Sequence, residues 1–156
     1  MRLEYFQMLD RIVDVDIGAR RLRSVCTVPR QSTIFEGHFP TYPMMPGVLL
    51  IECMAQTTGW LVSVLGRFTA MPFLAAVEKG KFRTAVLPGD VLEFEGEVLH
   101  EGSGYTVCGC EGLRAGTVVC DARLTFRILP YPSEQFRQAL WEWGERLNLP
   151  VKEFAK

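Results

Sequence analysis

Two side chains suited to proton transfer stand 14 positions apart in this chain of 156 residues: His38 and Glu52. His38 falls in the stretch 29–46, which carries Gly37, Pro40, Pro43 and Pro46. That density of prolines excludes both a helix interior and a central strand, so the stretch reads as a shaped loop. A rigid loop fixes an imidazole, whose pKa lies near neutrality, in the single orientation that general-base work requires. Glu52 is set among Val48, Leu49, Leu50, Ile51, Cys53, Met54 and Ala55. In so apolar a helix desolvation is expected to raise a carboxyl pKa, and a protonated carboxyl serves as a general acid. Gln56, one helical turn further on, can reach that carboxyl and hold it in one rotamer. Gly47 falls in the first turn, where backbone N–H groups have no intrahelical partner and the helix dipole favours developing negative charge: an oxyanion site.

Each of these residues also has a purely structural use. A loop histidine commonly ties backbone together, a buried glutamate needs a partner whatever its role, and a glycine at a helix start permits close packing. Pro40, Pro43 and Pro46 at a spacing of three would suit a polyproline ligand, but Phe39, Met44 and Met45 beside them belong in an interior.

The elements that must hold these residues follow from periodicity and turn chemistry. Residues 12–15 and 21–28 are rich in β-branched side chains around a turn at Ile17-Gly18-Ala19 and predict two strands. Pro46 suits the first helical position, and 48–65 then runs to Gly66 without another proline, which predicts a helix of about five turns. Its first half shows no solvated face, so something must wrap it. Runs at 73–77, 81–86, 91–99, 105–110 and 118–128 read as strands, separated by Pro88-Gly89-Asp90, Gly102-Ser103-Gly104 and the stretch 112–116. Ser133 is placed to cap a last helix over 134–147, with Phe136, Leu140, Trp143 and Leu147 near helical spacing, expected on the outside of the sheet. A long curved antiparallel sheet around one buried helix, with a C-terminal helix added, is an α+β arrangement known as the single hotdog fold. One domain over 1–156 is expected, with 132–156 as a C-terminal helical extension.

Composition narrows the function classes. Hydrophobic residues make up 48% and charged residues 22%, the balance of an ordinary globular chain. A net charge of −1 gives no overall attraction to nucleic acid or to an anionic membrane. The N-terminal residues lack the apolar core of a signal peptide, and the apolar run from Met44 is broken by Glu52, Gln56 and two threonines, so it reads as a buried helix rather than a membrane span. Five cysteines (Cys26, Cys53, Cys108, Cys110 and Cys120) form no CxxC pair and suggest a reduced, cytoplasmic interior. His100, Cys108 and Cys110 are the other imaginable metal ligands, and their spacing fits no metal motif. Neither a phosphate loop nor a dinucleotide fingerprint occurs, so no cofactor is expected.

The run His38-Phe39-Pro40, then Pro43, then Met45-Pro46-Gly47-Val48-Leu49, then Glu52 and Met54-Ala55-Gln56 resembles the signature of the bacterial 3-hydroxyacyl-[acyl-carrier-protein] dehydratases of fatty-acid synthesis. A looser likeness extends to Val77-Glu78-Lys79, Lys81-Phe82-Arg83 and Pro88-Gly89-Asp90, and the order of elements agrees from about Tyr5 to Arg127. The resemblance implies that His38 removes the α-proton, Glu52 protonates the departing 3-hydroxyl and the Gly47 N–H polarises the thioester carbonyl. It also implies a homodimer or a trimer of dimers, each site taking its histidine from one subunit and its acid from the other. Glutamate rather than aspartate resembles the plain dehydratase branch, not the one that also isomerises a double bond. The departure is Thr41-Tyr42, where the family carries glycine first, which predicts a reshaped loop or tunnel rim.

An acyl chain needs an apolar tunnel, and Phe39, Tyr42, Met44, Met45, Val48 and Phe73 are its candidate wall, with ordinary core as the competing use. The acidic acyl carrier protein that the resemblance implies would dock on Lys79, Lys81 and Arg83, alternating along one strand face, or on the competing group Arg20, Arg21 and Arg23. Two other function classes stand beside the dehydratase. A hotdog thioesterase would use a carboxylate to activate water and would not need the histidine, and a non-catalytic acyl-binding protein would keep the fold without turnover.

Overall fold

A computed structural model describes residues 1–155. Six strands form one antiparallel sheet: β1 (Arg11–Asp16), β2 (Arg21–Thr27), β3 (Met71–Phe82), β4 (Val91–Gly102), β5 (Tyr105–Arg114) and β6 (Thr117–Leu129). Their spatial order is β1-β2-β4-β5-β6-β3, which leaves β1 and β3 as the two edges. The sheet curls around the central helix α2 (Gly47–Leu65). Alternation makes this possible: Leu22, Ser24 and Cys26 of β2, Leu92 and Phe94 of β4, Cys108 and Cys110 of β5, and Cys120, Ala122, Leu124 and Phe126 of β6 are all buried. Where β4 crosses α2 the approach is closest at Gly96, whose Cβ, were there one, would lie 2.8 Å from the Thr58 methyl. On the neighbouring strand β2 the buried Ser24 hydroxyl hydrogen-bonds the Thr57 hydroxyl of α2 at 2.8 Å, and Thr57 is also tied to the Cys53 carbonyl.

Several sequence expectations are corrected by packing. The proline-rich stretch is not all loop: α1 (Thr33–Gly37) fits between Pro29 and Pro40 because Ser32 caps it, accepting from the Ile34 N–H at 3.1 Å. Pro46 is the N-cap rather than the first helical residue, since its ψ of 136° is extended. The run 73–77 and the first two residues of 81–86 are joined in the single strand β3, which continues through a bulge between Glu78 and Lys81 with Lys79 at φ 53° and ends at Phe82, so 83–86 are not strand. The last hairpin turns tightly at Ala115-Gly116, both at positive φ, so Gly112 lies inside β5, where a Cβ would strike Cys120 and Phe94.

The terminal helix α3 (Glu134–Arg146) forms as expected, with Ser133 accepting from the Phe136 N–H at 3.1 Å, but it does not pack on the outer face of the sheet. Its apolar stripe meets the side of α2 that the sheet leaves uncovered. Trp143 sets its ring edge-on against Trp60 at 5.6 Å, and Trp141 does the same against Phe68 at 6.2 Å. With α4 (Val151–Phe154), Leu9, Ile12 and Leu61 these side chains make a second apolar cluster at the far end of α2. Helix α2 is long and apolar enough to cross a membrane, yet 67% of that span is buried inside the fold. Its first half is not covered all round: Val48 is 74% exposed, and Glu52, Gln56 and Gly59 are half-buried along the same side.

Candidate active site

His38 is the C-cap of α1, its N–H donating to the Ile34 carbonyl at 3.0 Å. The loop beyond is closed by the Met44 N–H donating to the His38 carbonyl at 2.9 Å, and the ring bonds back at Nδ1 to the Met44 carbonyl at 3.0 Å. A carbonyl only accepts, so Nδ1 carries the hydrogen and the neutral ring presents Nε2 as its basic nitrogen. The Phe39 ring stacks on the imidazole at 4.3 Å. Between them Phe39 and Tyr42 exchange backbone hydrogen bonds at 3.0 and 3.3 Å. Thr41 keeps a negative φ in that turn, so the loop accepts a residue other than glycine without strain.

Glu52 is half-buried on α2, and its Oε1 accepts from Gln56 Nε2 at 2.9 Å. The Gln56 amide is itself fixed by two backbone groups of the N-terminal segment. Its Nε2 donates to the Phe6 carbonyl at 2.6 Å, and its Oε1 accepts from the Met8 N–H at 3.2 Å. These partners allow one amide orientation only, which makes Oε1 of Glu52 an obligate acceptor and leaves Oε2 for a proton in transit. Gly47 opens α2, where its N–H lacks an intrahelical partner. A Cβ there would press on the Phe82 ring at 3.2 Å, so glycine keeps the helix start close to β3.

The carboxyl of Glu52 borders a cleft of about 230 Å³ between α2, β3, β6 and α3. Trp60 and Phe126 stand on its inner side and Phe136, Leu140 and Trp143 on the other. A larger hollow of about 590 Å³ on the outer face of the sheet is bordered by Asp14, Asp16, Glu95, Glu97, Arg21, Arg23 and Lys79, with Leu22, Leu99 and Ala122 between these charges. Of the residues expected from sequence, Glu52 and Gln56 are joined by a hydrogen bond at the cleft. Sequence reasoning missed Phe6 and Met8, which act through main-chain atoms and leave no side-chain signature. It also missed the wall contributed by α3, although the stripe of Phe136, Leu140 and Trp143 was legible.

Not every expected residue is brought to the site. Among the described residues no hydrogen bond or ring contact joins His38 to Glu52 within one chain. The six candidate tunnel residues do not border the cleft: Met45 is a core residue at 3% exposure, Met44 is half-buried, and Phe39, Tyr42, Val48 and Phe73 are each about half exposed or more. The basic row is broken as well, because the bulge turns Lys79 out of register and Arg83 lies past the end of β3, ion-paired with Asp121. The competing arginines are paired too, Arg20 with Glu101, Arg21 with Glu97 and Arg23 with Asp14.

A single curved antiparallel sheet wrapped on one buried helix makes this a hotdog-fold protein. Residues 2–123 match the family model described as the FabA-like domain, and the chain belongs to that family. The 3-hydroxyacyl-[acyl-carrier-protein] dehydratase FabZ of Caldicellulosiruptor bescii is 36% identical to it over 124 residues, 79% of this chain and 88% of that one. Among solved structures, the dehydratase heterocomplex ApeI:P of Xenorhabdus doucetiae superposes with a TM-score of 0.60 at 21% identity, covering 86% of this chain and 89% of that one. A hypothetical thioesterase of Streptococcus pneumoniae solved with coenzyme A superposes at 0.58 and 21% identity, covering 72% of this chain and 84% of that one. Likenesses at that identity establish the fold alone.

Proposed function

We propose that this chain removes water from 3-hydroxyacyl groups carried on an acyl carrier protein, leaving the trans-2-enoyl thioester, as the FabZ relatives are named to do. The observation that carries the reading is the acid of the core helix, locked by Gln56 and bordering an apolar cleft. In this reading Nε2 of His38 takes the α-proton and the electron pair moves toward the thioester carbonyl, which the Gly47 N–H polarises. The C3–O bond then breaks as the Glu52 carboxyl passes its proton to the leaving hydroxyl, and water departs. His38 ends protonated and Glu52 ionised, so proton return between them completes the cycle without a cofactor.

The site is completed by a second copy of the chain. Support comes from the exposed edge strand β3 and the start of α2, where Val48, Phe73, Val77 and Phe82 are between 43% and 74% exposed. An apolar edge of that kind requires a partner strand. A second chain paired there would also turn the exposed tunnel candidates Phe39, Tyr42, Val48 and Phe73 inward. Lys79 and Lys81 remain the exposed cations for a carrier protein, and charge reversal at both should weaken carrier binding and flatten its salt dependence. We read 1–156 as one dehydratase domain with 132–156 as its extension. Buried, unpaired cysteines suit a cytoplasmic setting.

The test is conversion of 3-hydroxyacyl carrier-protein substrates to trans-2-enoyl product by the wild type, His38→Ala and Glu52→Gln. Each substitution should cost on the order of a hundredfold or more in kcat with the fold intact. A wild type inert toward every chain length, or variants as active as the wild type, would overturn the assignment.

A further inference from the structure

We infer that helix α3, which lies beyond the residues matched by the family model, forms the far wall of the acyl-chain site and sets how long a chain the enzyme accepts. The inference rests on the dehydratase reading above. The cleft beside Glu52 has its polar groups at one place, the Glu52–Gln56 pair, apart from Ser63, whose hydroxyl is spent on the Gly59 carbonyl at 2.9 Å. Everything else that borders it is carbon-rich. From Glu52 the cleft follows α2 past Gly59 to Ser63, three turns or roughly 16 Å at the helical rise per residue.

Gly59 keeps the floor low, since a Cβ there would meet only Phe126 at 3.8 Å. The sheet borders the cleft with Met71, Pro72 and Leu74 of β3 and Phe126 of β6, but one further wall is not made by the sheet. It is made by Phe136, Leu140 and Trp143, one stripe of α3, with Trp143 anchored edge-on against Trp60. A groove with a proton donor at one end and hydrocarbon walls beyond it fits a 3-hydroxyacyl chain, the hydroxyl at the acid and the remaining carbons running under α3. Depth in such a site discriminates by chain length, because each added methylene either finds a contact or a clash.

The test compares kcat/KM for long and short 3-hydroxyacyl carrier substrates in the wild type, Leu140→Phe and Phe136→Ala. Leu140→Phe fills the cleft and should lower the long-to-short ratio on the order of tenfold; Phe136→Ala opens it and should raise the ratio. Phe136 is 43% exposed, so its truncation leaves the fold standing even where Leu140→Phe does not. Ratios equal to the wild-type ratio in folded variants would overturn the inference. An independent readout uses pantetheine thioesters brominated at the chain end, which should quench the fluorescence of Trp60 and Trp143 and quench less in Trp143→Phe. Quenching by an otherwise inert wild type would sink the dehydratase reading and leave the acyl site standing. Absence of quenching would sink the acyl site even if turnover occurs.

Discussion

Gln56 has no conformational choice, because the Phe6 carbonyl and the Met8 N–H assign both ends of its amide and so dictate what Glu52 receives. Gln56→Leu removes that constraint and leaves two backbone groups without their side-chain partner. The lost hydrogen bond is worth roughly 1.5 kcal/mol, on the order of tenfold in kcat with KM little changed. A change confined to KM would mean that Gln56 supports binding rather than the acid. Its partners were illegible in the sequence for a plain reason: they are main-chain groups 48 and 50 positions away, and periodicity carries no record of them. The spacing of His38, Glu52 and Gln56 was legible because it is local to one loop and one helix. The thiols make a separate case. Burial pushes Cys108 up to about 12 and Cys120 up to about 11, from an ordinary 9.0. The folded state therefore holds these protons to higher pH than the unfolded chain, so the associated stability is whole below 9.0 and declines as pH rises toward about 12. Urea midpoints should fall across that window, and native-state labelling by a thiol reagent should proceed only as fast as the chain opens.

Helix α2 and strand β4 approach so closely at Gly96 that an added methyl must displace Thr58, a buried β-branched side chain held to the Met54 carbonyl at 2.7 Å. Gly96→Ala should therefore cost about 1–3 kcal/mol of stability, read from denaturant midpoints. Equal stability of the variant would show that the sheet can give way locally. Ser133→Ala, by contrast, removes only one cap bond at an exposed helix start and should cost about 1 kcal/mol. The elements themselves were legible where side-chain period and length agree: α2 over 48–65 and the strands β4, β5 and β6 each have one reading. What failed were features set by partners. A bulge carries the run 73–77 on to Phe82 in β3, because pairing with β6 resumes at Lys81↔Asp121. The docking of α3 depends on a side of α2 left bare by the curl of the sheet, and no stripe on α3 could announce that.

In one copy of this chain no hydrogen bond or ring contact joins His38 and Glu52, the proposed base and acid, and the sheet ends on a strand bearing Phe73, Val77 and Phe82 in the open. A two-fold pairing along β3 would answer both facts, since a symmetric interface brings each subunit's loop to the other's helix. The consequence can be measured with dead enzymes. On the proposed roles, a chain carrying His38→Ala and a chain carrying Glu52→Gln should each be nearly inactive alone. In a mixed dimer with shared sites, one site collects both defects and the other collects none. After unfolding and refolding together in equal amounts, half of the dimers are mixed and each has one intact site, so roughly a quarter of the wild-type rate should return. Sites contained within single chains would return nothing, because every chain in the mixture is defective. Val77→Asp in one partner, placed on the exposed edge, should abolish the recovery while leaving each chain folded.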